Sequence, residues 1–150
     1  MLLSSSLHIC RHAKDGKYRS DCEAVVQKVD ETQTDVQIHI SSGALGQGSF
    51  GIVYPGTFKG RPVAVKVYRD TDKKGPTVVK EVCVLCRPLI RKHPNIVELL
   101  TVYEYTPRDK SCPTEFWLVL ELCEGGTLRD LLRSGEEWSP LGAFHSDGIG

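Results

Sequence analysis

Three features of the sequence could act together on an anionic group: the glycine-rich run Gly46-Gln47-Gly48-Ser49-Phe50-Gly51, Lys66 and Glu81. Closely spaced glycines let backbone N–H groups approach phosphate oxygens, a lysine supplies a point charge for them, and a carboxylate can hold that lysine in place. The glycine spacing alone is weak evidence, so its context decides. A dinucleotide fold needs such glycines to end a strand and open a helix. Here Ile52-Val53-Tyr54 follows and Pro55-Gly56 comes soon after, which leaves no helix start. A phosphate loop of the Gly-Lys-Ser/Thr kind is absent too. What remains is a β-hairpin lying over phosphates, followed by a strand that carries a lysine.

Val63-Ala64-Val65-Lys66-Val67 alternates at strand period, so the three valines share one face and Ala64 and Lys66 the other. With the valines toward the core, Lys66 can reach a phosphate and the small Ala64 leaves room for a flat base. Glu81 follows Lys66 by fifteen residues and is the only carboxylate of the helix expected there.

The elements that must position these residues are legible around them. Val36, Ile38 and Ile40 alternate as a strand; Ile52–Phe58 and Val63–Tyr68 are rich in β-branched and aromatic residues, with a hairpin turn at Lys59-Gly60-Arg61. Val78, Val82, Leu85 and Leu89 recur at spacings of four, three and four, one face of a helix that opens near Pro76 and ends or kinks near Pro88. His93-Pro94-Asn95 reads as a turn. Ile96–Tyr105 and Phe116–Glu121 read as strands joined by the polar loop TPRDKSCPTE, and Gly125-Gly126 precedes a helix over Leu128–Leu132. The expected class is α+β, a five-stranded antiparallel sheet with one main helix. Residues 1 to 37, polar apart from a short apolar interruption around Ala24–Val29, read as an N-terminal extension, a tail or a short helix leading into the domain.

The assembled motifs resemble the amino-terminal lobe of a protein kinase, over about Ile38 to Leu132. LGQGSFGIV is similar to the glycine-rich loop, VAVK to the strand with the phosphate lysine, Glu81 to its helix partner, HPNIVELL to the turn and strand after that helix, and FWLVLELCEGGTL to the last strand and hinge. The resemblance implies ATP as ligand, with Gly46, Gly48, Ser49 and Gly51 over its phosphates. It implies a roof of Leu45, Val53 and Ala64 over the base, Leu120 as gatekeeper, hinge backbone groups of Glu121 and Cys123 on the adenine edge, and Thr127 near the ribose. Thr127 and Asp130 also have the spacing of a capping box, so Thr127 reads as a cap first. Pro55 departs from the family pattern and suits an edge strand.

The same resemblance implies a protein substrate and magnesium in the complete enzyme, and it marks what these residues lack. The proton-accepting aspartate of a His-Arg-Asp motif is missing, as is the metal-binding Asp-Phe-Gly, and no asparagine follows Asn95. His145-Ser146-Asp147 is a poor echo, because no long apolar helix fits between Leu132 and His145. Residues 133 to 150 are therefore expected to be a divergent, flexible tail, and the chain is expected to be a truncated lobe. On that expectation it grips ATP without completing phosphoryl transfer. The subfamily signal joins tyrosine-kinase-like and Ste20-like features, both favouring serine/threonine specificity. The alternative is a short, non-catalytic interaction protein that offers its exposed lobe surface to a protein partner.

The bulk properties fit this frame. Nineteen basic residues balance nineteen acidic ones, so nothing in the charge points to nucleic acid. No apolar run approaches a membrane span, and three serines interrupt the start MLLSSSLHIC, so a soluble, cytoplasmic chain is expected. The six cysteines read as reduced thiols. A zinc site would need Cys83 and Cys86 joined by His8, Cys10, His12 or Cys22; small buried apolar residues are the preferred reading, with no metal ligand assigned.

Overall fold

The structure is a computed structural model that describes residues 7–8, 25–32, 34–49, 51–69 and 75–135. Cys10, His12 and Cys22, the tail beyond Gly135 and the segment His145-Ser146-Asp147 lie outside these residues. Among the described residues eight strands form one sheet: β1 (Leu7–His8), β2 (Val25–Val29), β3 (Val36–Ile38), β4 (Gly46–Gly48), β5 (Gly51–Phe58), β6 (Arg61–Arg69), β7 (Leu99–Tyr105) and β8 (Glu115–Glu121). Helix α1 (Gly75–Leu85) lies between β6 and β7, and α2 (Leu128–Ser134) follows β8. The sheet order is β1-β2-β7-β8-β6-β5-β3, with β4 also paired to β5. None of the helices among the described residues is long and apolar enough to cross a membrane.

The five strands read from the sequence are present as β3, β5, β6, β7 and β8, and every pairing among them is antiparallel. Lys59 (φ 49°) and Gly60 (φ 76°) form the two-residue turn between β5 and β6. Positive φ at both positions matches the right-handed twist of the flanking strands. Ile40 does not extend β3. It starts a 3-10 turn over Ile40–Ser42 and is 65% exposed.

The expected N-terminal tail or short helix is replaced by strand over Val25–Val29. β2 runs parallel to β7, with Val26 opposite Val102 and Lys28 opposite Glu104. Its continuation is fastened as well: the N–H of Thr106 donates to the carbonyl of Val29 (3.1 Å), and Arg108 pairs with Glu31 (3.2 Å). The sheet is therefore mixed, and it begins before residue 38.

Pro55 corrects a second expectation, because β5 is not an edge strand; it pairs with β6 on one side and with β3 and β4 on the other. The carbonyl of Pro55 accepts from the N–H of His39 (2.8 Å). In an extended strand a residue's C=O and nitrogen face the same neighbour. The missing N–H thus faces the break between β3, which ends at Ile38, and β4, which starts at Gly46. No ladder donor is required there.

Both faces of the sheet are apolar. On one, Ala64, Tyr68, Leu118, Leu120 and Val102 cluster with Val78 and Val82 of α1 and with Val26 of β2. On the other, Val63, Val65 and Val67 join Val29, Val36, Trp117 and Val119, with Tyr105 stacked on Trp117 at 4.3 Å. Helix α1 covers the face of Ala64 and Lys66, not that of the valines, and only this arrangement lets a residue of the helix meet Lys66. The helix ends at Leu85, three residues before Pro88, so Leu89 never joins its apolar face and is 92% exposed.

Candidate functional site

β6 places Ala64, Lys66 and Tyr68 on one face, and the pairing registers extend that face across the sheet. Gly46 stands opposite Val53, Val53 opposite Lys66, and Lys66 opposite Leu118. One row away, Ala64 stands opposite Leu120, and each is 9% exposed. Directly opposed residues share a face, so the predicted roof residues Val53 and Ala64, the predicted gatekeeper Leu120 and Lys66 are brought together beneath the hairpin.

Helix α1 closes the other side. The Lys66 ammonium donates to both carboxylate oxygens of Glu81, at 2.9 Å to Oε1 and 3.0 Å to Oε2. About a quarter of each side chain is exposed, 24% for Lys66 and 27% for Glu81. The pair is thus fixed in geometry while the ammonium can still meet a second anion. Tyr68, which the sequence reading did not single out, completes the group. Its hydroxyl donates to Oε2 of Glu81, and its ring lies 5.0 Å from the Lys66 nitrogen. Burial, then the hydrogen bond to Glu81 and the Glu81 charge, raise the Tyr68 pKa well above the ordinary phenol value. The signal that could have found Tyr68 is alternation: it stands two residues beyond Lys66, on the same face.

The hairpin of β4 and β5 is closed in register by Gly48 opposite Gly51, with Ser49 exposed at its tip. Leu45, half exposed, is tied to the hairpin by its N–H, which donates to the Val53 carbonyl (2.7 Å). A Cβ at Gly46 or Gly48 would meet no atom of the described residues within 4 Å beyond its chain neighbours. Neither residue has a left-handed backbone. Nothing in their described surroundings therefore demands glycine at these two positions.

At the far end, β8 finishes at Glu121, whose N–H donates to the carbonyl of Glu98 (3.0 Å) and whose carboxylate accepts the Glu98 N–H (3.1 Å). Cys123 is exposed in the loop beyond. Thr127 is committed to α2. Its hydroxyl oxygen accepts the Asp130 N–H (3.1 Å), and the Asp130 carboxylate accepts the Thr127 N–H (3.3 Å), which completes a capping box. Cys83 is buried and Cys86 half-buried, and burial pushes both thiols up in pKa.

The chain matches the family described as "Protein kinase domain" over residues 40–142. It is 30% identical over 113 residues to the tyrosine-protein kinase receptor torso of Drosophila melanogaster, covering 75% of this chain and 11% of that protein. It is 37% identical over 94 residues to the serine/threonine-protein kinase unc-51 of Caenorhabditis elegans, covering 59% of this chain and 10% of the relative. Identity reaches 44% over 89 residues with the mouse (Mus musculus) calcium/calmodulin-dependent protein kinase type IV, covering 57% and 16%. Among solved structures, the crystal structure of Rad53 1-466 in complex with AMP-PNP superposes with a TM-score of 0.56 at 26% identity, covering 71% of this chain and 26% of that one. The chain thus spans between about a tenth and a sixth of the length of these curated relatives.

Proposed function

The chain belongs to the protein kinase domain family, and from that premise we propose that it is the ATP-gripping part of a serine/threonine protein kinase. The observation that carries the reading is the Lys66–Glu81 pair, with 2.9 and 3.0 Å contacts on the sheet face that also holds Val53, Ala64 and Leu120. The backbone of Gly46, Gly48, Ser49 and Gly51 lies along the phosphates. Lys66 orients the α- and β-phosphates, and Glu81 keeps its ammonium in place. Leu45, Val53 and Ala64 cover the adenine and Leu120 lies beside it. The carbonyl of Glu121, whose N–H is already engaged by Glu98, and the N–H of Cys123 meet its edge. The AMP-PNP of the Rad53 complex supports an adenine nucleotide as ligand. Thr127 serves the ribose only from its capping position.

Phosphoryl transfer needs more than this grip: magnesium and an aspartate that takes the proton of the substrate hydroxyl. Among the described residues no three His, Cys, Asp or Glu side chains converge on a common point, and the magnesium ligands are expected from residues outside this chain. The sequence contains neither His-Arg-Asp nor Asp-Phe-Gly. These residues therefore bind and orient the nucleotide, and in the complete enzyme other residues transfer its phosphate to protein. The test is calorimetric titration of the 150-residue chain with ATP. Saturable binding is expected, with thermal stabilisation of about 2.7 kcal/mol at a hundredfold excess over Kd, both weakened but measurable in Lys66→Met, and no phosphate turnover. Binding unaffected by Lys66→Met would overturn the reading.

A second reading has its own observation. Leu128 and Leu132 of α2 are 69% and 74% exposed, and α2 buries no residue. An apolar stripe of this kind suits a protein partner, so the chain would act as a non-catalytic interaction module. Failure of ATP to bind, together with a soluble complex lost in Leu128→Asp/Leu132→Asp, would favour it.

A further inference from the structure

We propose that Tyr68 is a positioning residue that holds Glu81, and through it Lys66, in the phosphate-holding arrangement whether or not nucleotide is bound. The inference rests on Lys66 being the phosphate-holding residue, as proposed above, and adds a member to that site. Glu81 is an acceptor with two donors of different kinds. Lys66 sits on a flexible four-carbon stem and must also serve the phosphates. The phenol of Tyr68 is rigid, is rooted in β6 and is 1% exposed. Its ring belongs to the cluster that contains Val78 and Val82 of α1, the helix bearing Glu81. Tyr68 therefore grips that helix twice, through its ring and through its hydroxyl.

The two donors respond differently to an arriving anion. When a phosphate takes a share of the Lys66 ammonium, the Lys66–Glu81 attraction is divided, and a carboxylate held by Lys66 alone would be free to change rotamer. A phenol donates one hydrogen bond, and a phosphate on Lys66 does not compete for it. The Tyr68 phenol stays protonated across the neutral range, since burial and the Glu81 charge both oppose its ionisation. The Lys66 ammonium 5.0 Å from the ring adds a cation–π attraction that keeps the lysine over the same residue.

The rival account is a buried tyrosine whose hydroxyl has merely found the nearest acceptor. Tyr68→Phe in the full chain separates the two, because the ring and its packing remain. Calorimetry with ATP and with adenosine is run beside hydrogen exchange of the α1 amides. The expected results are an ATP Kd raised roughly three- to tenfold, an adenosine Kd unchanged, and α1 exchange accelerated relative to β6 and β8. In the Lys66→Met background the substitution should change the ATP Kd no further. Unchanged ATP affinity with unchanged α1 exchange would overturn the proposal, as would equal losses for ATP and adenosine. If the unsubstituted chain binds neither ligand, the phosphate-holding reading falls. The exchange arm then decides whether Tyr68 holds the helix: acceleration confined to α1 sustains that hold, and no change removes it.

Discussion

A Cβ placed on Gly51 would lie 2.6 Å from the carbonyl oxygen of Val67 in the neighbouring strand, closer than a Cβ approaches another atom. Gly51 is glycine because β5 and β6 leave no room for anything else. A Cβ on Gly46 or Gly48, in the same motif, would meet no atom of the described residues within 4 Å beyond its chain neighbours. One motif thus contains glycines of two kinds, one demanded by the fold and two that are not.

Substitution should separate them. Gly51→Ala is expected to lower stability by about 1–3 kcal/mol, because the contact it creates is with backbone that cannot yield. Gly48→Ala should leave the melting temperature within a degree or two of the parent but weaken ATP binding several-fold. Melting curves with and without ATP read both effects. A destabilised Gly48→Ala would mean that the hairpin has a packing role that its open surroundings do not show.

The N-terminal strand should behave as part of the domain. Val26 is 1% exposed in the cluster beneath α1. Val26→Ala is expected to cost about 2 kcal/mol through lost burial and the cavity left behind. Val84→Ala, at a position 46% exposed on α1, should cost less than about 0.5 kcal/mol. Urea denaturation measures the two, and equal small costs would show that β2 is only loosely held.

Why β2 escaped the sequence reading follows from the same residues. Val25-Val26-Gln27-Lys28-Val29 is a short apolar run that fits a helix or a strand. Its partner Val102 lies far along the chain in a parallel pairing, which no local turn announces. β5 and β6 were legible because a two-residue turn joins them and both are rich in β-branched and aromatic residues. The site was legible for a related reason: the period of β6 and the helical phase of α1 bring Lys66 and Glu81 to one interface. Tyr68 shares that period, but a tyrosine there reads as core until the position of α1 is known. Leu89 continues the helical period of Val78, Val82 and Leu85, but the helix stops ahead of Pro88, as that proline implies.

Thr127 offers a test of cap against ligand contact. Thr127→Ala should cost about 1 kcal/mol of local stability in α2, seen as faster amide exchange over residues 128–134, whereas Thr127→Ser should retain the cap. If the hydroxyl serves only as a cap, ATP affinity will be the same in both variants. A loss of ATP affinity in Thr127→Ala that Thr127→Ser restores would give Thr127 a second role at the ribose.

The buried hydroxyl and thiols set the behaviour in alkali. Tyr68, Cys83 and Cys86 all have pKa values raised in the folded chain, chiefly by burial, above ordinary values of 10.0 for the phenol and 9.0 for the thiols. An acid whose folded pKa is raised ionises first in the unfolded chain, so above its ordinary value the unfolded state binds fewer protons and stability falls as pH rises. Stability from these groups is fully present below about pH 9. It should decline first as the unfolded thiols ionise and then further above about pH 10 as the phenol does. Urea midpoints taken from pH 8 to pH 11 should show this decline, and Tyr68→Phe should flatten its upper part while leaving the lower part, which belongs to the thiols. An upper slope that survives the substitution would place the alkaline loss on other tyrosines, with Tyr103 and Tyr105, also raised by burial, the next to replace.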